Sequence, residues 1–171
     1  MGLPQTAHFG LPEGTTPEEI LAYIYAVLYS PTYRERYYEF LKYDFPRIPL
    51  PQDIDYFREL AVLGQELINW HLLKDVQIPN RHRFEGEGDG IVGKPRHEDD
   101  NVWINATQHF TNVPAAVWEY EIGAYQVCEK WLKDRKNEML SHAEGRQYRS
   151  ILIAIAETLR LMAEIDEVIA F

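Results

Sequence analysis

The 171-residue chain carries a single cysteine, Cys128, so no disulfide can close within it. That scarcity fits a reducing, cytoplasmic location. No apolar run reaches the ~18 residues that a membrane span requires, and no charged-then-apolar leader opens the chain. No membrane partner is therefore expected. Cations are scarce too, with 17 Lys and Arg against 27 Asp and Glu, a net charge of −10. A free-standing nucleic-acid binder usually carries a basic surplus, so the overall charge opposes that class. There is no GxxxxGK phosphate loop, which excludes an ATP-driven motor in this stretch. HExxH and paired-cysteine spacings are absent as well, so no metal site is expected. Asn105-Ala106-Thr107 matches a glycosylation sequon, which means nothing without a secretion signal.

What is present is enough to build a core: 46% hydrophobic and 13% aromatic residues, with 11 tyrosines. The pattern predicts an α+β fold, predominantly helical, with a helical bundle packed against a small antiparallel β element. We expect one domain in four parts: a lead-in over 1–15, a helical block over 16–75, a β-containing insert over 76–122, and helices over 123–171. The lead-in is rich in Gly and Pro, and its His8 has no ligand context. Thr16-Pro17-Glu18-Glu19 is a capping box, with proline at the first helical position. Thr32 to Glu35 reads as a second box, opening a helix to about Lys42 in which Arg34 and Arg36 pair with Glu35 and Glu39. Asp44 to Pro51 must be extended, because three alternating prolines fix φ and remove donors. A third helix runs from about Asp53 to Leu73 and carries His71 on its apolar face, where a hydrogen-bonded core histidine is expected. Ile91-Val92 and Val102 to Ile104 alternate like short strands around a turn at Glu98 to Asn101. Ser141 to Glu144 is another capping box and opens the longest helix, to about Ile169.

The stretch Ile122 to Lys136, IGAYQVCEKWLKDRK, organises the rest. It reads as a glycine turn running into about three turns of helix. Ala124, Val127, Cys128, Trp131 and Leu132 recur at helical spacing and form the expected buried stripe. Gln126, Lys130 and Lys133 fall opposite, with Arg135 and Lys136 near the end. Residues 122–149 hold six Lys or Arg against four Asp or Glu, a local surplus inside an acidic protein. Cations at a helix C-terminus also suit the helix dipole without any ligand.

VWINATQHF (102–110), VPAAVWEYEIGAYQVCEKWLKDRK (113–136) and PEEILAYIYAVLYSPTYRERYYEFLKYDFPRIPLP (17–51) together resemble the C-terminal region of bacterial type ISP restriction-modification enzymes and related adenine-specific DNA methyltransferases. The resemblance runs from about Pro17 to Ile169. Relatives often carry a second glycine where this chain has Ala124. It implies a specificity region that reads a double-stranded DNA target, with the catalytic domains upstream. The Asn-Pro-Pro-aromatic motif and S-adenosylmethionine loop of such methyltransferases are missing here. No catalytic residue and no cofactor are therefore expected in this chain, and S-adenosylmethionine is implied only for a parent or partner.

The expected DNA contacts are Gln126, Lys130, Lys133, Lys136 and Arg135 on the organising helix. Lys94, Arg96 and Gln108 in the β element, and Arg81 and Arg83 before it, are further candidates. Gln pairs with both edge positions of adenine in the major groove, and Lys fixes register on phosphate. The competing reading is an acidic helical module that docks on methyltransferase or translocase partners and never touches DNA. Two motif-like runs carry no chemistry. Gly88 to Gly93 spells GxGxxG but is followed by Lys-Pro and flanked by acids, so a turn is expected. His97, Asp99 and Asp100 read as solvated charge in a polar turn, and Cys128 on the apolar stripe reads as unreactive.

Overall fold

Helix α1 (Pro17–Tyr29) begins where the capping box places it: Thr16 Oγ1 accepts the Glu19 N–H at 3.2 Å, and the Glu19 carboxylate accepts the Thr16 N–H at 2.8 Å. The computed structural model describes residues 14–169, so His8 and all but the last two residues of the expected lead-in lie outside it. Among the described residues the fold is α+β and dominated by helix, with two small antiparallel sheets. It divides into two compact units, 14–75 with 158–169, and 76–157.

In the first unit α1 is followed by α2 (Pro31–Arg36), α3 (Tyr38–Leu41) and α4 (Ile54–Leu72). The cap of α2 is Ser30, whose Oγ accepts the Tyr33 N–H at 3.0 Å, and not Thr32 as the sequence suggested. Asp166, from the last helix of the chain, explains the change. Its carboxylate accepts from the Ser30 hydroxyl and from the N–H and hydroxyl of Thr32, which removes Thr32 from capping. Arg34 is not held by its neighbouring glutamates either. Arg34 lies over the Tyr29 ring and donates to the Leu28 carbonyl, while Glu39 takes Lys42. The proline segment is extended and anchored by hydroxyls: Tyr23 donates to the Pro49 carbonyl at 2.9 Å and Tyr33 to the Arg47 carbonyl at 3.0 Å. His71 bridges the Tyr25 hydroxyl at 2.7 Å and the Thr158 hydroxyl at 2.9 Å, a core histidine as expected.

The second unit holds a four-stranded sheet of β1 (Phe84–Glu85), β2 (Arg96–Glu98), β3 (Asn101–Trp103) and β4 (His109–Phe110), in the order β1-β4-β3-β2, all antiparallel. Ile91 does not join it and makes only an isolated bridge to Met139. Asp99 and Asp100 turn the chain between β2 and β3 with φ of 50° and 53°. Both lie in the left-handed region that a two-residue hairpin turn requires. One register row, His97, Val102, Phe110 and Phe84, contains the two fully buried members Val102 and Phe110. The alternate row runs Arg96, Trp103, His109 and Glu85. Helix α5 (Ala115–Trp118) leads to a hairpin of β5 (Glu121–Ile122) and β6 (Tyr125–Gln126). Then come α6 (Val127–Lys133) and α7 (His142–Val168).

The expected three-turn helix is therefore shorter. Gly123, at φ +63°, sits in the β5–β6 turn, and the helix starts only at Val127. Ala124 is in that turn and exposed, not on the buried stripe. Cys128 and Leu132 are fully buried as expected. The box opening α7 forms, with Ser141 Oγ accepting the Glu144 N–H and the Glu144 carboxylate accepting the Ser141 N–H. At 27 residues α7 is about 40 Å long.

The two longest helices of the first unit, α1 and α4, meet at Gly64. A Cβ there would stand 1.9 Å from the Ala22 carbonyl oxygen, a backbone atom that cannot rotate away. We expect Gly64→Ala to cost roughly 1–3 kcal/mol by forcing the helices apart. Urea unfolding followed by circular dichroism would read this as a lower midpoint, and an unchanged midpoint would contradict the packing.

Candidate nucleic-acid interface

The cations predicted on the organising helix are largely engaged by the protein itself. Lys130 Nζ sits 2.7 Å from Asp134 Oδ2 and Lys133 Nζ 2.6 Å from Glu129 Oε2, both one helical turn apart. The two lysine side chains remain 47% and 55% exposed. Exposed pairs of this spacing are worth only about 0.3–0.5 kcal/mol, so a stronger anion displaces them easily. Arg135 is held more firmly: it pairs with Glu144 at 3.2 Å, donates to the Trp131 carbonyl, and lies 3.6 Å above the Trp131 ring. Gln126 turns inward, its amide donating to the Trp118 carbonyl at 2.6 Å. Lys136 is exposed and has no ion pair among the described residues.

The β-element candidates divide in the same way. Gln108 is only 5% exposed. Its Oε1 accepts the Gly90 N–H at 2.8 Å and the Asn105 amide at 3.0 Å, so it holds the 86–93 loop. That corrects its reading as a contact residue. The same loop runs into no helix, and Asp89 accepts the Ile91 N–H within it, so Gly88 to Gly93 is a closed turn. Arg96 is spent on Glu98, the Asn105 carbonyl and the Trp103 face. Lys94 is exposed and makes no ion pair among the described residues. His97 is half-buried, and its Nε2 lies 2.7 Å from the Val113 carbonyl. Burial pushes the Cys128 thiol up to about 12, as an inert core cysteine requires.

Arg81 and Arg83 open onto two neighbouring cavities of the second unit. One, of about 510 Å³, is lined by Arg83, Phe84, Phe110, Leu140, Gly145, Arg146 and Arg149 among others, with no Asp or Glu in its wall. The other, of about 710 Å³, shares Arg83 and adds Arg81, His82, His109, Asn80, Asn101 and Glu85. Arg81, Arg83 and Arg146 have no ion pair among the described residues, and Arg149 reaches only the Asn80 amide at 3.4 Å. Sequence reading missed Arg146 and Arg149. Their spacing of three on the first turns of α7 was a signal, but it was masked by assigning that helix to packing.

Four arginines on one cavity pair, at the start of a long helix and along a sheet edge, define an anion-facing surface on an α+β helical domain. The chain matches the Type ISP C-terminal specificity domain over residues 5–164, and it belongs to that family. No curated protein matches it. Its fold is similar to that of three solved structures. One is a nuclease-deletion mutant of the Type ISP restriction-modification enzyme LlaGI in complex with a DNA substrate mimic (TM-score 0.67, 23% identity, 87% of this chain and 14% of that one). A second is the ATP-dependent Type ISP enzyme LlaBIII bound to DNA (0.67, 21%, 93% and 12%). The third is the DrdV–DNA complex (0.66, 24%, 89% and 18%). The chain thus spans less than a fifth of the length of each.

Two predictions test the assignments inside the site. Gln108→Ala strands the Gly90 N–H and should cost about 1–3 kcal/mol of stability, visible as a lower denaturation midpoint. His82 is buried, and desolvation holds its imidazole below the ordinary 6.5, with Arg81 adding to the effect against backbone hydrogen bonds at Thr111 and Asn112. The unfolded chain therefore takes up a proton first as pH falls below 6.5, and stability declines with it. Asn accepts the left-handed φ of +54° at this position and keeps a donor for the Thr111 carbonyl. His82→Asn should flatten the stability–pH slope between pH 7 and 5, and an unaltered slope would exclude His82 as a source.

Proposed function

We propose that this chain is the DNA target-recognition part of a restriction-modification enzyme and is not catalytic by itself. Its membership of the specificity-domain family carries this reading. In the parent or partner, an upstream S-adenosylmethionine-dependent adenine methyltransferase domain flips and methylates the base, while this domain holds the duplex. No residue here serves S-adenosylmethionine. The double-stranded DNA phosphates meet Arg81, Arg83, Arg146 and Arg149 first, because these cations need not surrender an acid. Lys94 and Lys136 add to them, and Lys130 and Lys133 exchange their weak intrahelical partners for phosphate. Localisation in the bacterial cytoplasm follows from that role.

The net charge of −10 and the paired lysines favour a second reading, a docking module for methyltransferase or translocase domains. Salt separates the two. Neutralising Z phosphates gives a slope of log K against log salt of about −0.9Z. Fluorescence anisotropy with labelled duplex should give a slope of about −3 to −4, with Arg83→Ala and Arg146→Ala each reducing it by about 1. Duplex binding that is absent at low salt, or flat with salt, would favour the docking module.

A further inference from the structure

The smaller cavity has more than a cationic rim. Its floor is apolar: Phe84 is 41% exposed on the edge strand β1, its ring centre 4.9 Å from that of Phe110, and Leu140 lines the same space. A paired duplex presents phosphates outward and keeps its bases stacked inside, so it would engage Arg83, Arg146 and Arg149 and leave this floor wet. A volume of about 510 Å³ falls within the range of small-ligand pockets and accepts a nucleobase. Aromatic faces bind bases of any sequence by stacking, and guanidinium groups bind the flanking phosphates. An apolar floor inside an acid-free ring of arginines matches one unit of nucleic acid that is out of the helical stack.

We propose that this cavity takes one unpaired or extrahelical nucleotide, with its base against Phe84 and Leu140 and its phosphates on Arg83, Arg146 and Arg149. The proposal rests on the DNA-binding reading and deepens it. Extracting a paired base costs about as much as stacking it here returns, so the domain does not open duplex alone. A nucleotide already out of the stack is captured without that cost.

Gly145 supplies a clean test. It lies in the first turns of α7 on the cavity wall, and a Cβ there would meet nothing within 4 Å. Gly145→Leu therefore fills the cavity while replacing a poor helix former by a good one, so the fold is retained. The full chain is titrated by anisotropy with three labelled DNAs: a paired duplex, the same duplex with a one-thymidine bulge, and the same with an abasic bulge. We expect the thymidine bulge to bind about tenfold more tightly than the abasic bulge. Gly145→Leu and Phe84→Ala should each collapse that ratio towards one. Equal affinity for the two bulges, or a ratio that survives Gly145→Leu, overturns the proposal. If the paired duplex still binds with a steep salt slope in that case, the recognition reading stands and only the nucleotide pocket falls. Binding of none of the three DNAs ends both.

Discussion

Tyr148 is the side chain on which the second unit depends. It is fully buried on α7, its ring centre 4.8 Å from Phe110 of the sheet and 5.0 Å from Trp131 of α6, and its hydroxyl donates to the Cys128 carbonyl. One residue thus ties the sheet, the short helix and the long helix together. Arg146 and Arg149 flank it by two residues and one, so their backbone positions are set by the same packing. Phe110 in turn carries Phe84, which sets the neighbouring Arg83. The cations need no acidic partner to stay in place because aromatic burial places them. Burying a Tyr or Phe is worth about 1.5–3 kcal/mol, several times an exposed ion pair, so packing rather than pairing decides the geometry.

That ordering also resolves the conflict between an acidic chain and an anionic partner. Affinity for a polyanion follows local potential within a Debye length, about 8 Å at physiological salt, not the sum over the chain. Most charge pairs in the second unit are consumed locally: Lys130 by Asp134, Lys133 by Glu129, Arg135 by Glu144, Arg96 by Glu98. The smaller cavity is lined by Arg83, Arg146 and Arg149 and by no Asp or Glu. Glu85 is the one carboxylate among the residues lining the larger cavity.

Local signals made much of the fold legible. The boxes at Thr16 and Ser141 formed because each depends on residues three apart. The extended proline run, the long helix and the turn at Glu98 to Asn101 were set by backbone rules of the same short range. Long-range partners defeated the rest. Asp166 took Thr32 out of capping from more than a hundred residues away. Helical spacing over Ile122 to Lys136 concealed a two-residue hairpin, because Ala124 and Val127 sit three apart and so extend the helical stripe backwards past its true start at Val127. Residue type alone made Gln108 a secondary DNA-contact candidate, and only the Asn105 and Gly90 partners revealed it as buried structure. The family resemblance was recoverable because it spans whole segments. The arginine wall was not, since Arg83 and Arg146 are brought to one cavity by tertiary packing.

The polar network on the β3–β4 turn has its own consequence. Asn105 accepts the Thr107 and Gln108 N–H groups and donates to the Ile91 carbonyl and to Gln108, while the Thr107 hydroxyl donates to the Glu87 carbonyl. The loop between β1 and β2 is therefore fixed by side chains on the β3–β4 turn, not left to solvent. Ordering such a loop on binding would consume part of the interaction free energy; a loop ordered beforehand leaves that free energy for discrimination. Specificity is a difference between right and wrong sequence, and it sharpens when the reading surface cannot deform to fit the wrong one. The glycine-rich loop needs this network because its own sequence, taken alone, specifies no shape.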